Sequence, residues 1–219
     1  VQEPFGQWAV NLKPPYFKQI DTETLPYGNV EDDYNDFKRQ LLLPNMLSYI
    51  GPKTAHGDVN GDGLVDIYVG GSKGQSGAIL LQQPNGSWIG TEQASIDSDI
   101  MCTDTDAIFF DADKDGDLDL FVGSGGNEVS EGTNDLLDRL YLNDGKGKFT
   151  YSSGAIPMNT LNTSVVLPLD YDADGDIDLF VGSRSVPMQY GLNPNSFIYQ
   201  NDGKGAKGQQ PTPAPNNNQ

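Results

Sequence analysis

One cysteine and one histidine are all the thiol and imidazole chemistry that this chain of 219 residues possesses. A lone Cys102 excludes an internal disulfide framework. The lack of converging His and Cys argues against zinc. No apolar run approaches the roughly 18 residues that a membrane helix needs, so no segment reads as inserted in a bilayer. Positive charge is scarce as well: 13 Lys and Arg stand against 31 Asp and Glu, a net charge of −18. That balance argues against nucleic acid as a partner. Apolar residues make up only 36%, whereas Gly numbers 26 and Pro 14. The mix disfavours a helical bundle and favours short strands joined by tight turns. The chain starts at Val1 without an initiator Met or a signal peptide, which reads as a removed leader or a fragment.

What the chain does have is a repeat. Three segments align without gaps: GDVNGDGLVDIYVGG (57–71), FDADKDGDLDLFVGS (110–124) and LDYDADGDIDLFVGS (169–183). Behind them come AILLQQPNGSWI (78–89), RLYLNDGKGKFT (139–150) and FIYQNDGKG (197–205), each a strand followed by a turn. The Pro-Asn-Gly and Asn-Asp-Gly steps tolerate positive φ, so each reads as a β-hairpin. Every unit is therefore strand, Asp-rich loop, strand, connection, strand, tight turn, strand. That is the length and content of a β-propeller blade rather than of a solenoid coil. The fold class expected is all-β, with blades at about 50–100, 101–158 and 159–205. The third unit lacks an evident fourth strand, because residues 206–219 form a Pro-, Gln- and Asn-rich tail that reads as disordered or as a linker. Residues 1–49 form a lead-in segment or part of a preceding blade. They contain PPYFKQ, an acidic patch (Glu31, Asp32, Asp33, Asp36) and, over Tyr34–Leu43, an expected short helix ending before Pro44.

The loops carry the chemistry. By position they read D-x-N-x-D-G-L-x-D, D-x-D-x-D-G-D-x-D and D-x-D-x-D-G-D-x-D. Oxygen-bearing side chains at positions 1, 3, 5 and 9 of a tightly curled backbone converge, position 7 offers its carbonyl, and Gly at position 6 permits the turn. The expected ligands are Asp58, Asn60, Asp62, the Leu64 carbonyl and Asp66; then Asp111, Asp113, Asp115, the Asp117 carbonyl and Asp119; then Asp170, Asp172, Asp174, the Asp176 carbonyl and Asp178. The side chains of Asp117 and Asp176 are expected to point outward. Acidic turns alone would repel themselves. A hard cation with six to eight oxygen ligands relieves that repulsion, which selects Ca²⁺, about three ions in all, over the stricter octahedron of Mg²⁺. Three such ions would offset one third of the net charge.

An EF-hand requires a bidentate Glu at position 12 followed by a helix. Position 12 here is Val69, Val122 or Val181, inside β-branched and aromatic runs that read as buried strands. Dockerin-type loops fail for the same reason, thrombospondin repeats on cysteine count and the nonapeptide β-roll on period. The combination of D-x-D-x-D-G-x-x-D-hydrophobic-x-V-G with a downstream L-N-D-G-x-G-x-F resembles the FG-GAP (VCBS) repeat of integrin α-type propellers, over roughly 50–205. The opening YNDFKRQLLLPNMLSYIGPKTAHGDVNGDG is similar to large FG-GAP proteins of the cartilage acidic protein type, many of them bacterial and surface-associated. The resemblance implies a seven-bladed propeller with calcium rigidifying the loop between the first two strands of a blade. About three blades are visible, so the expectation is a fragment of a longer protein or a ring completed by other chains.

Other chemistry is thin. His56 reads as a hydrogen-bonded strand residue rather than a general base, and Cys102 as a buried, inert thiol. GGSKGQSG (70–77) and GSGGNEVSEG (123–132) lack the phosphate-loop pattern and read as inter-strand loops. Two N-x-S sequons stand at Asn85 and Asn162. The function expected is a non-enzymatic, extracellular or cell-surface adhesion module with structural calcium. It would bind a protein or glycan ligand through loops 71–77, 124–137 and 184–195. The rival readings are a scaffold subunit of a surface or secretion complex and a calcium-dependent propeller lyase or hydrolase acting on polysaccharide. The few arginines (Arg39, Arg139, Arg184) and the single histidine disfavour the last of these.

Overall fold

Runs such as DIYV, DLFVGSG and DLFVGSRS combine β-branched and aromatic side chains with small residues, and each becomes the second strand of a four-stranded antiparallel sheet. The computed structural model describes residues 17, 25–31, 33–38, 40–49, 51–129, 132–189, 191–203 and 212–213. The expectations for Asp32 and Arg39, for PPYFKQ apart from Phe17, and for most of the tail lie outside the described residues.

The first sheet is β1 (Thr54–Gly57), β2 (Asp66–Val69), β3 (Ala78–Gln82) and β4 (Trp88–Gly90), in that spatial order. The second is β5 (Thr103–Phe110), β6 (Asp119–Gly125), β7 (Arg139–Asn143) and β8 (Phe149–Tyr151). The third is β9 (Asn162–Leu169), β10 (Asp178–Ser185), β11 (Phe197–Tyr199) and β12 (Thr212–Pro213). All pairings are antiparallel meanders, as the blade reading expected. A one-turn helix, α1 (Ala94–Asp97), links the first sheet to the second. The third sheet departs from expectation, because Thr212–Pro213 pairs with Ile198 and Phe197 where the sequence showed no fourth strand. A proline is tolerated there because an edge strand need not donate outward.

Successive sheets stack face to face. Ala55, Tyr68 and Ile79 of the first sheet pack with Ala107, Phe109, Leu120, Val122 and Tyr141 of the second. On its other face the second sheet gives Phe110, Phe121 and Leu140 to Val166, Leu179, Val181 and Tyr199 of the third. Tyr68 and Phe121 occupy equivalent positions and are both fully buried. Each such side chain contributes roughly 1.5–3 kcal/mol of burial. The equivalent Phe180 is only half-buried, with Val165 and Leu167 exposed beside it, since no described sheet packs on that face.

The lead-in crosses the end of the sheets opposite the Asp-rich loops. Tyr27 donates its hydroxyl to the Gly70 and Ser76 carbonyls at 3.2 Å each. Asp36 is fully buried and accepts from the Leu47 and Ser48 amides, the Ser48 hydroxyl and the Asn127 amide. Burial alone would raise its carboxyl, yet these donors hold it below its ordinary value. The helix expected over Tyr34–Leu43 shrinks to a 3₁₀ turn at Asp36–Lys38. Its first-turn carboxylate is spent folding Leu47 and Ser48 back, and Leu41 and Leu42 face solvent with no apolar stripe to continue.

Candidate metal centre

All three Asp-rich loops join the first two strands of a sheet, which brings them to one end of the molecule. Two backbone positions in each loop have positive φ. Position 6 is Gly63, Gly116 or Gly175, as the turn chemistry required, with φ between 84° and 95°. Position 4 is left-handed as well: Gly61 at 74°, Lys114 at 63° and Ala173 at 60°. That second kink was not legible from residue type, since two of the three side chains disfavour it.

The curl turns short acidic side chains inward. In the first loop Asp58 accepts the amides of Gly61, Asp62 and Gly63 at 2.8–3.2 Å. Asn60 donates to Asp62 at 3.0 Å. In the second loop Asp111, Asp113 and Asp115 offer carboxylate oxygens within 4.8 Å of one another, and in the third Asp170, Asp172 and Asp174 do the same. These are positions 1, 3 and 5, three of the four side-chain positions expected to converge; the position-9 carboxylates do not join these groups. The position-5 carboxylates also accept the position-7 amides of Leu64, Asp117 and Asp176 at 2.8–2.9 Å.

Position 9 has a further duty that the sequence reading missed. Asp66, Asp119 and Asp178 are completely buried. One oxygen of each accepts the position-2 amide of its own loop, from Val59, Ala112 or Tyr171 at 2.7–3.0 Å. The other accepts an amide where the third strand ends, from Gln82, Asn143 or Asn201 at 2.7–2.9 Å. Each carboxylate thus staples loop to hairpin. The asparagine of the Asn-Asp-Gly turn extends the staple between sheets. Asn143 donates to the carbonyls of Val59 and Leu118 at 2.8 and 3.0 Å, and Asn201 to those of Ala112 and Ile177 at 2.8 and 3.3 Å. Sequence had marked these asparagines only as turn formers.

The position-7 side chains also differ from expectation. Asp176 is buried and Asp117 half-buried, because each lies over the glycine of the adjoining hairpin. A Cβ on Gly145 or Gly203 would strike that carboxylate. Lys114 of the second loop pairs with Asp176 of the third, and Gln200 donates to Asp172.

Electrostatically the loops are in conflict with themselves. Burial pushes Asp119 up to about 6 despite its two amide donors, and the charges of Asp113 and Asp115 add to the rise. Burial raises Asp113 as well, reinforced by Asp115 and Asp111. Asp66 rises for the same reasons, burial first, then Asp62 and Asp58. Two buried oxygens, Asp111 Oδ1 and Asp113 Oδ1, have no hydrogen-bond donor among the described residues. Orphaned anionic oxygens inside a ring of oxygen donors, with no nitrogen or sulfur, fit a hard divalent cation. The second and third loops can hold a metal ion through their aspartate triads. The first, with Asn60 at position 3, offers two carboxylates and an amide.

The remaining candidates fall away from this centre. His56 is exposed on β1, with no side-chain hydrogen bond to a described residue, so the hydrogen-bonded histidine expected there is not seen. Cys102 is buried and burial pushes its thiol up to about 11, which fits the inert reading. Arg139 is buried and paired with Asp104, whose other oxygen accepts the Tyr68 hydroxyl and the Gly71 amide. Asn162 is buried with its amide on Ser185, whereas Asn85 is exposed at a hairpin tip.

A family model described as an FG-GAP-like repeat matches residues 58–122 and 111–181. Each match opens on a position-1 aspartate and closes on the position-12 valine of the following loop. No curated protein matches the chain.

Proposed function

The chain belongs to the FG-GAP-like repeat family, and from that premise we propose that it is a calcium-binding, extracellular β-propeller module that binds a protein or glycan ligand without catalysis. The observation that carries the calcium reading is the pair of donorless, buried carboxylate oxygens in an all-oxygen loop. Calcium would be held by positions 1, 3 and 5, with the position-7 carbonyl and the position-9 carboxylate completing the set. The ion supplies charge neutralisation, and the loops supply no proton chemistry of their own.

A location outside the cytoplasm follows from that calcium demand, because extracellular modules work with weak sites that only outside calcium fills. Among the described residues no helix is long and apolar enough to cross a membrane. The non-catalytic reading is supported by the state of these groups: His56 stands exposed on β1, burial raises the Cys102 thiol, and Arg139 is buried and paired with Asp104. Ligand contact belongs to the end opposite the loops. A cavity of about 240 Å³ opens there between the lead-in and the β10–β11 connection, lined by Gln40, Leu43, Asn127, Arg184, Val186 and Leu192 among others. The lead-in already occupies part of the 71–77 connection, which leaves the 184–195 region as the more open of the expected contact loops.

Thermal melting in calcium, in magnesium and in chelator tests the proposal. At a hundredfold excess over its Kd a ligand adds about 2.7 kcal/mol, so the melting temperature should rise with calcium, less with magnesium, and fall back in EDTA. A melt indifferent to both calcium and EDTA would overturn the reading.

A further inference from the structure

The β3–β4 turn reads Pro84-Asn85-Gly86-Ser87, an Asn-x-Ser sequon without proline at its middle position. Such a sequence accepts an oligosaccharide on its asparagine where it stands on the surface of an exported chain. We propose that Asn85 is an N-glycan acceptor and that Asn162, which heads the second sequon, is not. The proposal rests on the extracellular reading, because it needs a chain that leaves the cytoplasm.

Folding separates the two sequons. Asn85 and Gly86 are exposed, and Ser87 is half-buried. Asn85 Oδ1 accepts the Ser87 amide at 2.9 Å and the Ser87 hydroxyl at 2.7 Å. Its Nδ2 makes no hydrogen bond to a described residue, so a sugar bonded there displaces no such contact. Asn162 is buried at the start of β9, and its Nδ2 donates to Ser185 Oγ at 2.8 Å. A sugar there would compete with that bond inside the packed protein.

The second hairpin shows that the Asn85 position projects into solvent. Gln83 donates its amide to the Ser87 carbonyl at 2.8 Å, as Asp144 does to that of Lys148 at 3.2 Å. Gly86 and Gly147 match as well, with φ of 81° and 78°. Asn85 therefore stands where the second hairpin has Lys146, and Ser87 where it has Lys148, both exposed. The first turn lacks those charges, and it leads into β4, the edge of its sheet, where Ile89 is exposed. Lysine guards an edge strand against pairing with another chain. A glycan on Asn85 supplies a solvated bulk in its place.

The donor is an oligosaccharide carried on a lipid pyrophosphate, and the transferase belongs to the export pathway. Nδ2 bonds to the anomeric carbon, and the bond from that carbon to the pyrophosphate oxygen breaks. One Nδ2 proton passes to a base of the transferase, and the lipid pyrophosphate leaves. Nothing is oxidised or reduced.

The full chain, exported from glycosylating animal cells behind an added cleavable leader, tests the proposal. Peptide N-glycosidase in heavy-oxygen water should convert Asn85 to a labelled aspartate and leave Asn162 unlabelled. Ser87→Ala should abolish the label although Asn85 remains. An unlabelled Asn85 in the secreted chain, or Asn162 labelled as fully as Asn85, would overturn the proposal. Because the leader is supplied, failure of the extracellular reading shows differently: Asn85 is labelled here, yet the unfused chain stays inside its own cells. Light scattering on warming reads the shielding of β4. The Asn85→Gln chain should associate several-fold faster than the glycosylated one, and Asn85→Lys no faster. Equal rates for all three would remove the shielding role.

Discussion

Asp138 shows how a single side chain ties this fold to pH. It sits just ahead of β7, buried, and accepts the Ser124 amide, the Asn159 amide and the Thr163 hydroxyl. Burial outweighs these donors and pushes its carboxyl from 3.8 up to about 6. The folded state therefore holds the proton more tightly than the unfolded chain does. The resulting stabilisation is complete below the ordinary value and is lost as pH rises towards about 6. Asp119 acts in the same direction in the metal-free protein. Asp36 acts oppositely, since its stabilisation fades as pH falls below the ordinary carboxylate range. Denaturant titration of Asp138→Asn against the parent chain should show a penalty that is larger near pH 4.5 than near pH 7, by on the order of 2 kcal/mol. Equal penalties at the two pH values would remove the assignment. Nothing in the sequence marked this residue, because its behaviour comes from donors on three separate segments.

At the scale of elements, the loop-to-hairpin staple is the recurring device. The buried carboxylates of Asp66, Asp119 and Asp178 and the amides of Asn143 and Asn201 close each Asp-rich loop onto its own sheet. The asparagines also reach back to the loop of the preceding sheet. Replacing Asn143 with Ala strands one buried and one half-buried carbonyl and should cost about 2 kcal/mol, measured by chemical denaturation. The same replacement at the exposed Asn85 should cost well under that. The strands and hairpins were legible from alternation and from Asn-Gly and Asp-Gly steps. The staple was not, because its partners lie 24 and 84 residues away along the chain. The helix expected near Tyr34 failed for a related reason, since the tertiary demand on Asp36 outweighed a weak local preference.

The whole molecule is held by stacking one sheet on the next, and one ion pair is built into that stack. Asp104 of the second sheet takes Arg139 of the same sheet on one oxygen, and the Tyr68 hydroxyl and Gly71 amide of the first sheet on the other. Both charged groups are buried. Removing one partner leaves an uncompensated buried charge, so Arg139→Met should lower stability by roughly 3–5 kcal/mol. The double replacement of Asp104 and Arg139 by apolar residues should recover a large part of that loss. A double variant no better than Arg139→Met would show that the pair itself, not the stranded charge, holds the sheets. The third sheet's position has no such pair, since Thr163 and Phe197 stand where Asp104 and Arg139 do.

The sequence by itself determined the class of the molecule: three repeats, four strands in each of the first two, and acidic loops between the first and second strands. Those features are local, set by the period of side chains along a strand and by glycine at a sharp turn, so they can be read without knowing neighbours. It also placed the aspartate triads of the second and third loops, because positions two apart on a tight curl share one side. Only the tertiary structure decided which carboxylates are buried, which oxygens lack a donor, and that position 9 fastens the loop to a distant strand. Those properties depend on desolvation and on partners from other segments. The same spacing in the Asp-rich loops therefore supports two roles, convergence on a cation at positions 1, 3 and 5, and a structural clasp at position 9.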